Sequence, residues 1–578
     1  MKKISKLLFG ILAVAMLLIS CGGGSSAGGG GSANGGGSSE GGGDTPTTPT
    51  ATVASEITIA SENDVATFDT NVATDGTSFE AIGQFTSGLM VNGPDGLQYD
   101  LATDYSISDD GLVYTFNIRQ DSVWVDKNGE VKGKVTASDF EFSWKRLVDP
   151  ATGSVYSYMG APIKNGQAII DGELAPSEFG VKATGDYTLE VILENPLPYF
   201  IQLAAFPLFY PISPEIVEAS GASYGSGPDY VWNNGTYRLT SYINGNGWTL
   251  EKNESFFGAD EVSIEKVNVR VMPDYNTSAL EFETSSVDVT KISAELINKY
   301  INNADQNLKD SVSGFKLGYV WYLSFNLNGN RAPELQNANL RRAIASALDR
   351  DYIADTIMKD GSVAAPYIVP RGLADDQNGV DFREGPNARL YYEYNESEAK
   401  RYVELAKSEL GIESLSLELL IEDTAESGNN AIQIQNDLAA VGITVNIVTV
   451  PKPDRLARMR PSGGFDYEIS LTRWGPDYKD PYTYLGDCFS PISNPMTVIW
   501  GNDEYAESIA KVSPGGELST DFSARWLEFH NAERILLGDA FIAPIWQSGE
   551  TYLVNPKLKG YIRGVGFFPR YRDLTLED

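Results

Sequence analysis

A change of hydrophobic period between neighbouring segments constrains the fold of this chain more than any other feature. In GLVYTFNIR the apolar residues recur at every second position, at Leu112, Tyr114, Phe116 and Ile118, which is typical of a strand with one buried face. The next long segment, KVTASDFEFSWKRLVDP, has its apolar residues at helical spacing. Similar changes follow along the chain, so we predict a mixed α/β fold.

Capping residues place the starts of several helices. Thr136, with Asp139 three residues later, predicts the start of the helix in the second of these segments. Ser213 directly precedes a proline in YPISPEIVEASG, as expected of an N-cap followed by proline in the first turn. In NLRRAIASALDRDYIADTIM, either Asp349 or Asp351 is expected to begin a second helix.

Length and composition limit the classes of function. A chain of 578 residues exceeds what one hydrophobic core usually organises, so we expect two or three lobes with a cleft between them. The net charge of −34 repels nucleic-acid phosphates and excludes nucleic-acid binding; it indicates a solvated surface, or a weak attraction for cationic ligands. One histidine and two cysteines cannot form a His/Cys metal site, so we expect neither a metal nor a cofactor. We interpret His530, in a helical pattern, as a surface or core residue rather than a catalytic one.

The first fifty residues predict an export signal and a tether. Lysines at positions 2, 3 and 6 precede an apolar run that is too short for a comfortable membrane span. The sequence Leu18-Ile19-Ser20-Cys21 resembles a bacterial lipobox, in which Cys21 is lipidated and becomes the first mature residue; an ordinary signal peptide with a chance cysteine is the alternative. Residues 22–50 are rich in glycine and serine and predict a flexible tether. With Cys21 lipidated, Cys488 has no partner for a disulfide.

From residue 57 onwards, seven segments resemble a known family in their order along the chain. They are LATDYSISDDGLVYTFNIRQDSVW, TASDFEFSWKRLVDPATGSVYSYM, VKATGDYTLEVILENPLPYF, NNGTYRLTSYINGNGWTLEKNESFFG, NANLRRAIASALDRDYI, RWGPDYKDPYTYL and YLVNPKLKGY. Together they resemble the extracytoplasmic solute-binding proteins of family 5, which are the oligopeptide- and dipeptide-binding lipoproteins of ABC importers. SVYSYM and VKATGDYTLEV are most similar to the oligopeptide branch.

The resemblance implies a three-domain periplasmic-binding-protein fold of type II (cluster C), which closes on its ligand like a flytrap. It implies a ligand cleft between two lobes. The expected division of the chain is a signal peptide at 1–20, a tether at 21–55, a discontinuous lobe I at 56–93, 216–321 and 545–578, an inserted domain II at 94–215, and a lobe III at 322–544.

The resemblance also implies a function without catalysis. A monomer would capture short peptides and deliver them to the permease and ATPase subunits of an ABC transporter. It would stand outside the cytoplasm, in the periplasm or at the cell surface, held to the membrane by the lipid on Cys21.

The stretch RWGPDYKDP holds most of the residues that the resemblance assigns to the ligand. Asp477 matches the aspartate that binds the peptide amine, Trp474 a pocket tryptophan, and Tyr156, in SVYSYM, a tyrosine at the same end of the peptide. Gly475 is expected to let backbone and ligand approach closely. From the residues alone, Asp477 could instead form a turn and Trp474 could be a core residue. Asp480, directly before a proline, is expected to cap a helix.

Two arginines are candidates for binding the peptide carboxylate, and neither matches the family pattern as closely as Asp477 does. Arg460 aligns with a basic residue of the family, and Arg473 lies beside the tryptophan at a position where the family usually has glycine. Each arginine could instead be a surface or interlobe charge. The spacing from Phe465 to Trp474 is two residues longer than in the family pattern, so the preferred peptide length is left open.

Three alternatives to peptide import stand beside it. The same scaffold could carry another solute, such as a sugar, an opine or a metal complex. A secreted hydrolase could use Asp477 and Asp480 as an acidic pair. An adhesive or signalling role on the same scaffold is the third.

Overall fold

The computed structural model describes residues 55–328, 330–460, 463–490 and 501–577. The predicted signal peptide, Cys21 and the tether up to residue 54 lie outside these residues. Described strands are β1 Glu56–Ser61, β2 Met90–Gly93, β3 Gly96–Tyr99, β4 Ala102–Ile107, β5 Val113–Ile118, β6 Val123–Val125, β7 Val131–Lys134, β8 Val181–Gly185, β9 Thr188–Ile192, β10 Tyr237–Ile243, β11 Gly247–Lys252, β12 Lys266–Val271, β13 Val289–Ile292, β14 Val312–Phe325, β15 Val363–Ala364, β16 Leu415–Glu422, β17 Ile443–Val450, β18 Ile469–Trp474, β19 Ile542–Val554, β20 Leu558–Lys559 and β21 Thr575–Leu576.

Helices are distributed along the whole described region. They are α1 Gly76–Phe85, α2 Ala137–Val148, α3 Gly166–Ile170, α4 Phe200–Ala204, α5 Pro214–Ser220, α6 Tyr275–Glu283, α7 Ala294–Ile301, α8 Gln306–Asp310, α9 Ala338–Ala347, α10 Arg350–Tyr352, α11 Glu396–Leu410, α12 Ala425–Ala440, α13 Lys452–Arg458, α14 Tyr482–Leu485, α15 Asp503–Val512 and α16 Phe522–Gly538. None of the helices in the described ranges has the length and apolar character needed to cross a membrane.

The local predictions of strand and helix are confirmed. Strand β5 buries alternate residues, as its period predicts. Helix α2 begins after Thr136, whose backbone N–H donates to the Asp139 carboxylate at 2.8 Å. Helix α5 begins after Ser213. Asp349, rather than Asp351, caps α10, because its carboxylate accepts the N–H of Tyr352 at 3.0 Å.

One large mixed sheet runs through the fold, and its described strands follow the order β10-β11-β12-β1-β13-β19-β14-β18-β16-β17, with β15 beside β19. Strands β14 and β19 are long, antiparallel and central to this order. Their register shifts between Lys316 and Val320, which leaves residues 317–319 outside the regular ladder. Beyond β14, strands β17 and β18 each run parallel to β16.

A separate four-stranded sheet, β4-β5-β9-β8, lies within the segment predicted as domain II. Helix α2 packs on it through β8 and β9. Helix α9 packs against α11 and β19, and α12 against β16 and β17. The internal contacts of residues 54–578 do not divide this region further, so the three domain boundaries stay a prediction.

Candidate functional site

The turn after strand β18 carries the aspartate that the sequence singled out. Strand β18 ends at Trp474, and Thr483 of helix α14 holds both ends of the turn. The Thr483 carbonyl accepts the indole N–H of Trp474 at 2.9 Å, and its hydroxyl accepts the backbone N–H of Asp477 at 3.2 Å. These hydrogen bonds fix the direction in which the turn presents Asp477.

Asp477 is half-buried, and its Oδ2 atom is buried without a hydrogen-bond partner among the described residues. Burial, with a smaller contribution from Asp487, raises the pKa of Asp477 to about 8. A carboxylate that loses water without gaining a donor is destabilised in its charged form. The surroundings of Asp477 therefore favour the binding of a cation, because a nearby positive charge stabilises the ionised carboxylate.

Two tyrosines from the segment after α2 lie within electrostatic reach of this carboxylate. The rings of Tyr156 and Tyr158 stack with their centroids 5.7 Å apart, and the centroids of Phe79 and Tyr156 lie 6.2 Å apart in a T-shaped arrangement. The charge of Asp477 is the largest cause of the raised pKa of Tyr156, and burial is the next. The structure therefore places Tyr156 within electrostatic reach of Asp477, although the two are far apart in the sequence.

A second carboxylate, Asp487, acts electrostatically on Asp477. It was not predicted from the sequence as a site residue. The Tyr478 hydroxyl donates to it at 2.5 Å. Burial raises the pKa of Asp487 to about 7, against the hydrogen bond from Tyr478. Among the described residues, neither Asp477 nor Asp487 has a lysine or arginine within the ion-pair distance of 4.0 Å. Nothing in TYLGDCF marked Asp487, because its role depends on the fold around it.

The backbone of Gly475 lies directly against the Tyr319 ring. A Cβ atom on Gly475 would lie 2.3 Å from that ring, and one on Gly318 would lie 2.5 Å from Pro476. Tyr319 lies in the register break of β14, and such irregularities re-aim side chains. No local sequence pattern marks Tyr319 as part of the site.

The two arginines differ in their described contacts. Arg473 is exposed, with its guanidinium 5.2 Å from the Tyr319 ring centroid and 4.9 Å from that of Trp321. Arg460 follows α13, and its carbonyl accepts the N–H groups of Gly463 and Phe465. Arg473 is connected to the Asp477 turn through Tyr319, which also lies against Gly475. The roles of Arg460 and Arg473 in ligand binding stay predictions.

Asp480 has a structural role. Its carboxylate accepts the N–H of Tyr482 at 2.8 Å and two hydrogen bonds from Arg525 at 2.6 and 2.9 Å. The expected contact with the start of a helix is confirmed, but α14 begins at Tyr482 and Pro481 precedes it. The backbone of Pro481 is already helical, and helix ends defined by hydrogen bonds shift by a residue for this reason.

His530 and Cys488 are both interior residues. The His530 ring stacks on Phe382 at 3.9 Å, and burial lowers its pKa to about 4. Of the two positions expected for His530, surface or core, the structure shows the core. Cys488 is a buried free thiol whose sulfur lies 3.8 Å from the Tyr322 hydroxyl. No group of three or more metal-ligating side chains occurs among the described residues.

Comparison with known proteins places this geometry in a family. The family described as "Bacterial extracellular solute-binding proteins, family 5 Middle" matches residues 96–494. The dipeptide-binding protein DppE of Bacillus subtilis is 28% identical over 87% of this chain and 88% of its own length. The oligopeptide-binding protein OppA of the same organism is 27% identical over 85% of this chain and 87% of its own length.

Solved structures agree with the family match. The structure of Listeria monocytogenes OppA bound to peptide has a TM-score of 0.76 at 31% identity, covering 91% of this chain and 100% of that one. The substrate-binding domain of an oligopeptide ABC transporter from Bacillus anthracis has a TM-score of 0.78 at 32% identity, covering 91% and 99%. The predicted type II substrate-binding fold is confirmed, and the chain belongs to the bacterial extracellular solute-binding proteins of family 5.

Proposed function

We propose that this chain is the substrate-binding component of an ABC importer and that it captures short peptides beside Asp477. The similar proteins named above are dipeptide- and oligopeptide-binding proteins, and one similar structure is described as bound to peptide. The observation that carries the proposal is the buried Oδ2 atom of Asp477, which has no partner among the described residues.

The chemistry of a peptide amine fits this carboxylate. Enclosing an ammonium group without a counter-charge costs several kcal/mol, and Asp477 supplies that charge. Tyr156 lies within electrostatic reach of the same carboxylate, and we propose that it bounds the amine pocket. Trp474 and Gly475 hold the turn in place through Thr483 and Tyr319.

Capture would proceed by closure of lobe III against lobe I and domain II, with the boundaries predicted from the sequence. The closed monomer would then dock on the permease and ATPase subunits. Peptide main chain would pair with strand edges, which gives an affinity that depends little on side chains. We propose no turnover of the peptide, because Asp480 is held by Arg525 and the acidic pair of a hydrolase would lack its second member.

Native mass spectrometry of the full chain, purified in detergent without stripping ligands, tests this function. We expect a ladder of bound masses that correspond to short peptides. The Asp477→Asn variant should lose the ladder, whereas Asp109→Asn, the same charge change at an exposed loop, should keep it. A single non-peptide mass would indicate another solute, and shortened peptides after incubation would indicate a hydrolase.

We also propose that a lipid on Cys21 holds the protein at the outer face of a bacterial membrane. The support is the lipobox-like sequence and the Gly/Ser-rich segment after it. Substituting Cys21→Ala should release the protein into the soluble fraction. Retention of that variant in the membrane would contradict the lipid anchor and leave peptide binding untouched.

A further inference from the structure

A short proline-rich segment of the predicted domain II lies against the Asp477 turn. Its sequence is ENPLPYF, in which prolines at positions 196 and 198 restrict the backbone just before Tyr199. The next residue, Phe200, begins helix α4 and packs on Tyr114 of strand β5, with ring centroids 4.6 Å apart. The sheet of domain II therefore fixes the position of Tyr199.

Tyr199 stacks on two tyrosines of the segment predicted as lobe III. The rings of Tyr199 and Tyr478 are parallel within 4°, with centroids 4.5 Å apart, and the centroid of Tyr482 lies 5.8 Å from that of Tyr199. All three side chains are buried. Stacked aromatic rings attract each other beyond the effect of burial alone. Separation of domain II from lobe III would break this stack and expose its rings to water.

The same segment has two further contacts with lobe III. The Arg525 guanidinium lies 5.5 Å from the centroid of the Tyr199 ring, a distance at which a cation and an aromatic face attract. Two hydrogen bonds to the Asp480 carboxylate hold Arg525 in this place. Asn195, at the start of the segment, lies so close to Gly515 that a Cβ atom there would be 2.6 Å from its side chain.

Tyr478 connects the stack to the candidate site. It directly follows Asp477 in the chain, and its hydroxyl donates to the Asp487 carboxylate at 2.5 Å. Asp487 in turn acts electrostatically on Asp477. The ring that stacks on Tyr199 thus belongs to the turn that presents Asp477, and a movement of that ring would shift the turn.

We propose that Tyr199 is a latch, which holds domain II on lobe III by stacking on Tyr478 and Tyr482 and so keeps the Asp477 turn closed around a captured peptide. Tyr199 is a positioning residue, because it acts through Tyr478. The inference rests on the proposed function, since it takes capture by closure of these regions. The stack makes no use of the side chains of the peptide, so it slows the release of every captured peptide alike.

Stopped-flow tryptophan fluorescence of the full chain, purified in detergent, with tri-alanine tests the latch. Tyr199→Ala should raise the dissociation rate constant at least tenfold and change the association rate constant less than twofold, because the latch closes after the peptide has entered. Tyr199→Phe keeps the stacked ring and should stay within twofold of wild type in both constants. Tri-glutamine should show the same change as tri-alanine.

A matched control removes a buried tyrosine elsewhere. Tyr300→Ala deletes such a ring from helix α7 in the predicted lobe I. It should lower the stability and leave both rate constants within twofold of wild type. If Tyr199→Ala does not fold, Tyr199→Leu keeps an apolar side chain without a planar ring and should raise the dissociation rate constant at least threefold.

Hydrogen exchange of the ligand-free chain tests the same contact without a peptide. Tyr199→Ala should speed the exchange of amides in residues 476–487 at least threefold. The amides of strand β5 and helix α2, in the core of domain II, should exchange as in wild type.

The outcomes separate this inference from the proposed function. Unchanged dissociation of tri-alanine from Tyr199→Ala overturns the latch and leaves peptide capture standing. Equal acceleration of exchange in β5, α2 and residues 476–487 also overturns it, because Tyr199 would then be a core residue that supports the whole fold. Failure of wild type to bind either peptide overturns the proposed function, and unchanged exchange in residues 476–487 would overturn the latch as well.

Discussion

Two aspartates three residues apart in one turn have opposite surroundings. Asp480 is buried and accepts two hydrogen bonds from Arg525 and one from the Tyr482 amide. Asp477 has a buried oxygen without a donor in the described part of the chain. The fold saturates the hydrogen-bonding capacity of the first carboxylate, and we propose that the second binds the ligand.

The basic residues of helix α13 show the same contrast. Arg455 is buried and paired with Glu422, whereas Lys452, one turn earlier, has no carboxylate within ion-pair distance among the described residues. Charged side chains in this region therefore differ in whether another described residue pairs with them, and their position along the sequence does not decide which are paired.

The largest expected effect is the loss of stability when Asp480, the paired aspartate, is substituted. Asp480→Asn leaves the buried Arg525 guanidinium without its counter-charge, and we expect a loss of ~3–5 kcal/mol in the free energy of unfolding. Chemical denaturation measures it. The Asp480→Asn/Arg525→Met double variant should recover part of the loss, because it buries no unpaired charge. A loss below about 1 kcal/mol, the range of an exposed pair, would show that Asp480 is not a structural residue.

Substitution of Asp477, the aspartate without a hydrogen-bond donor on Oδ2 among the described residues, should lower the affinity for peptide rather than the stability. Asp477→Asn should weaken peptide binding by about 100-fold, or ~2.7 kcal/mol. Its free energy of unfolding should be unchanged or higher, because the variant removes a buried carboxyl group that has no donor. Calorimetric titration and thermal denaturation of the same sample test both parts. A variant that is unstable but binds normally would reverse the assignment of the two aspartates.

A smaller loss of stability is expected from a substitution at Gly475, in the same turn as Asp477. The Cβ atom of Gly475→Ala would collide with the Tyr319 ring, and overpacking of this kind costs ~1–3 kcal/mol. We expect that loss in denaturation, together with weaker peptide binding because the turn must shift. Adding Tyr319→Ala should restore stability by removing the ring. If Gly475→Ala alone is neutral, the ring moves freely and does not fix the turn.

The smallest effect is a dependence on pH. The pKa of Asp477 is about 8 in the free protein, above its ordinary value of 3.8, so below pH 8 a bound amine must displace a proton. Affinity should fall as pH decreases from 8 to 7, by at most about tenfold per unit. The free folded protein binds more protons than the unfolded chain between these two pKa values, so the contribution of Asp477 to stability decreases as pH rises through them.

Titration in buffers of different ionisation enthalpy counts the protons released on binding. Wild type should release protons near pH 7, and Asp477→Asn should release fewer. Equal proton release from both proteins would assign the effect to Asp487, whose pKa is about 7.

Local patterns were sufficient for the elements, and a family resemblance was needed for the site. Strand β5 and helix α2 follow from spacing and caps within a few residues. The partner of Asp480 lies 45 residues away, and the ring on Gly475 comes from another strand of the sheet. Such contacts depend on how distant elements pack, and no local pattern records them. Asp487 has no local signal in the sequence for the same reason.

The thiol of Cys488 can be used to measure how often the packing around α14 opens. Burial raises the pKa of this thiol, and it lies in the interior beside Tyr322. Alkylating reagents attack the thiolate and need direct access to the sulfur. The rate of Cys488 alkylation therefore measures how often the packing around α14 opens, and a ligand that binds only the folded protein should slow that rate.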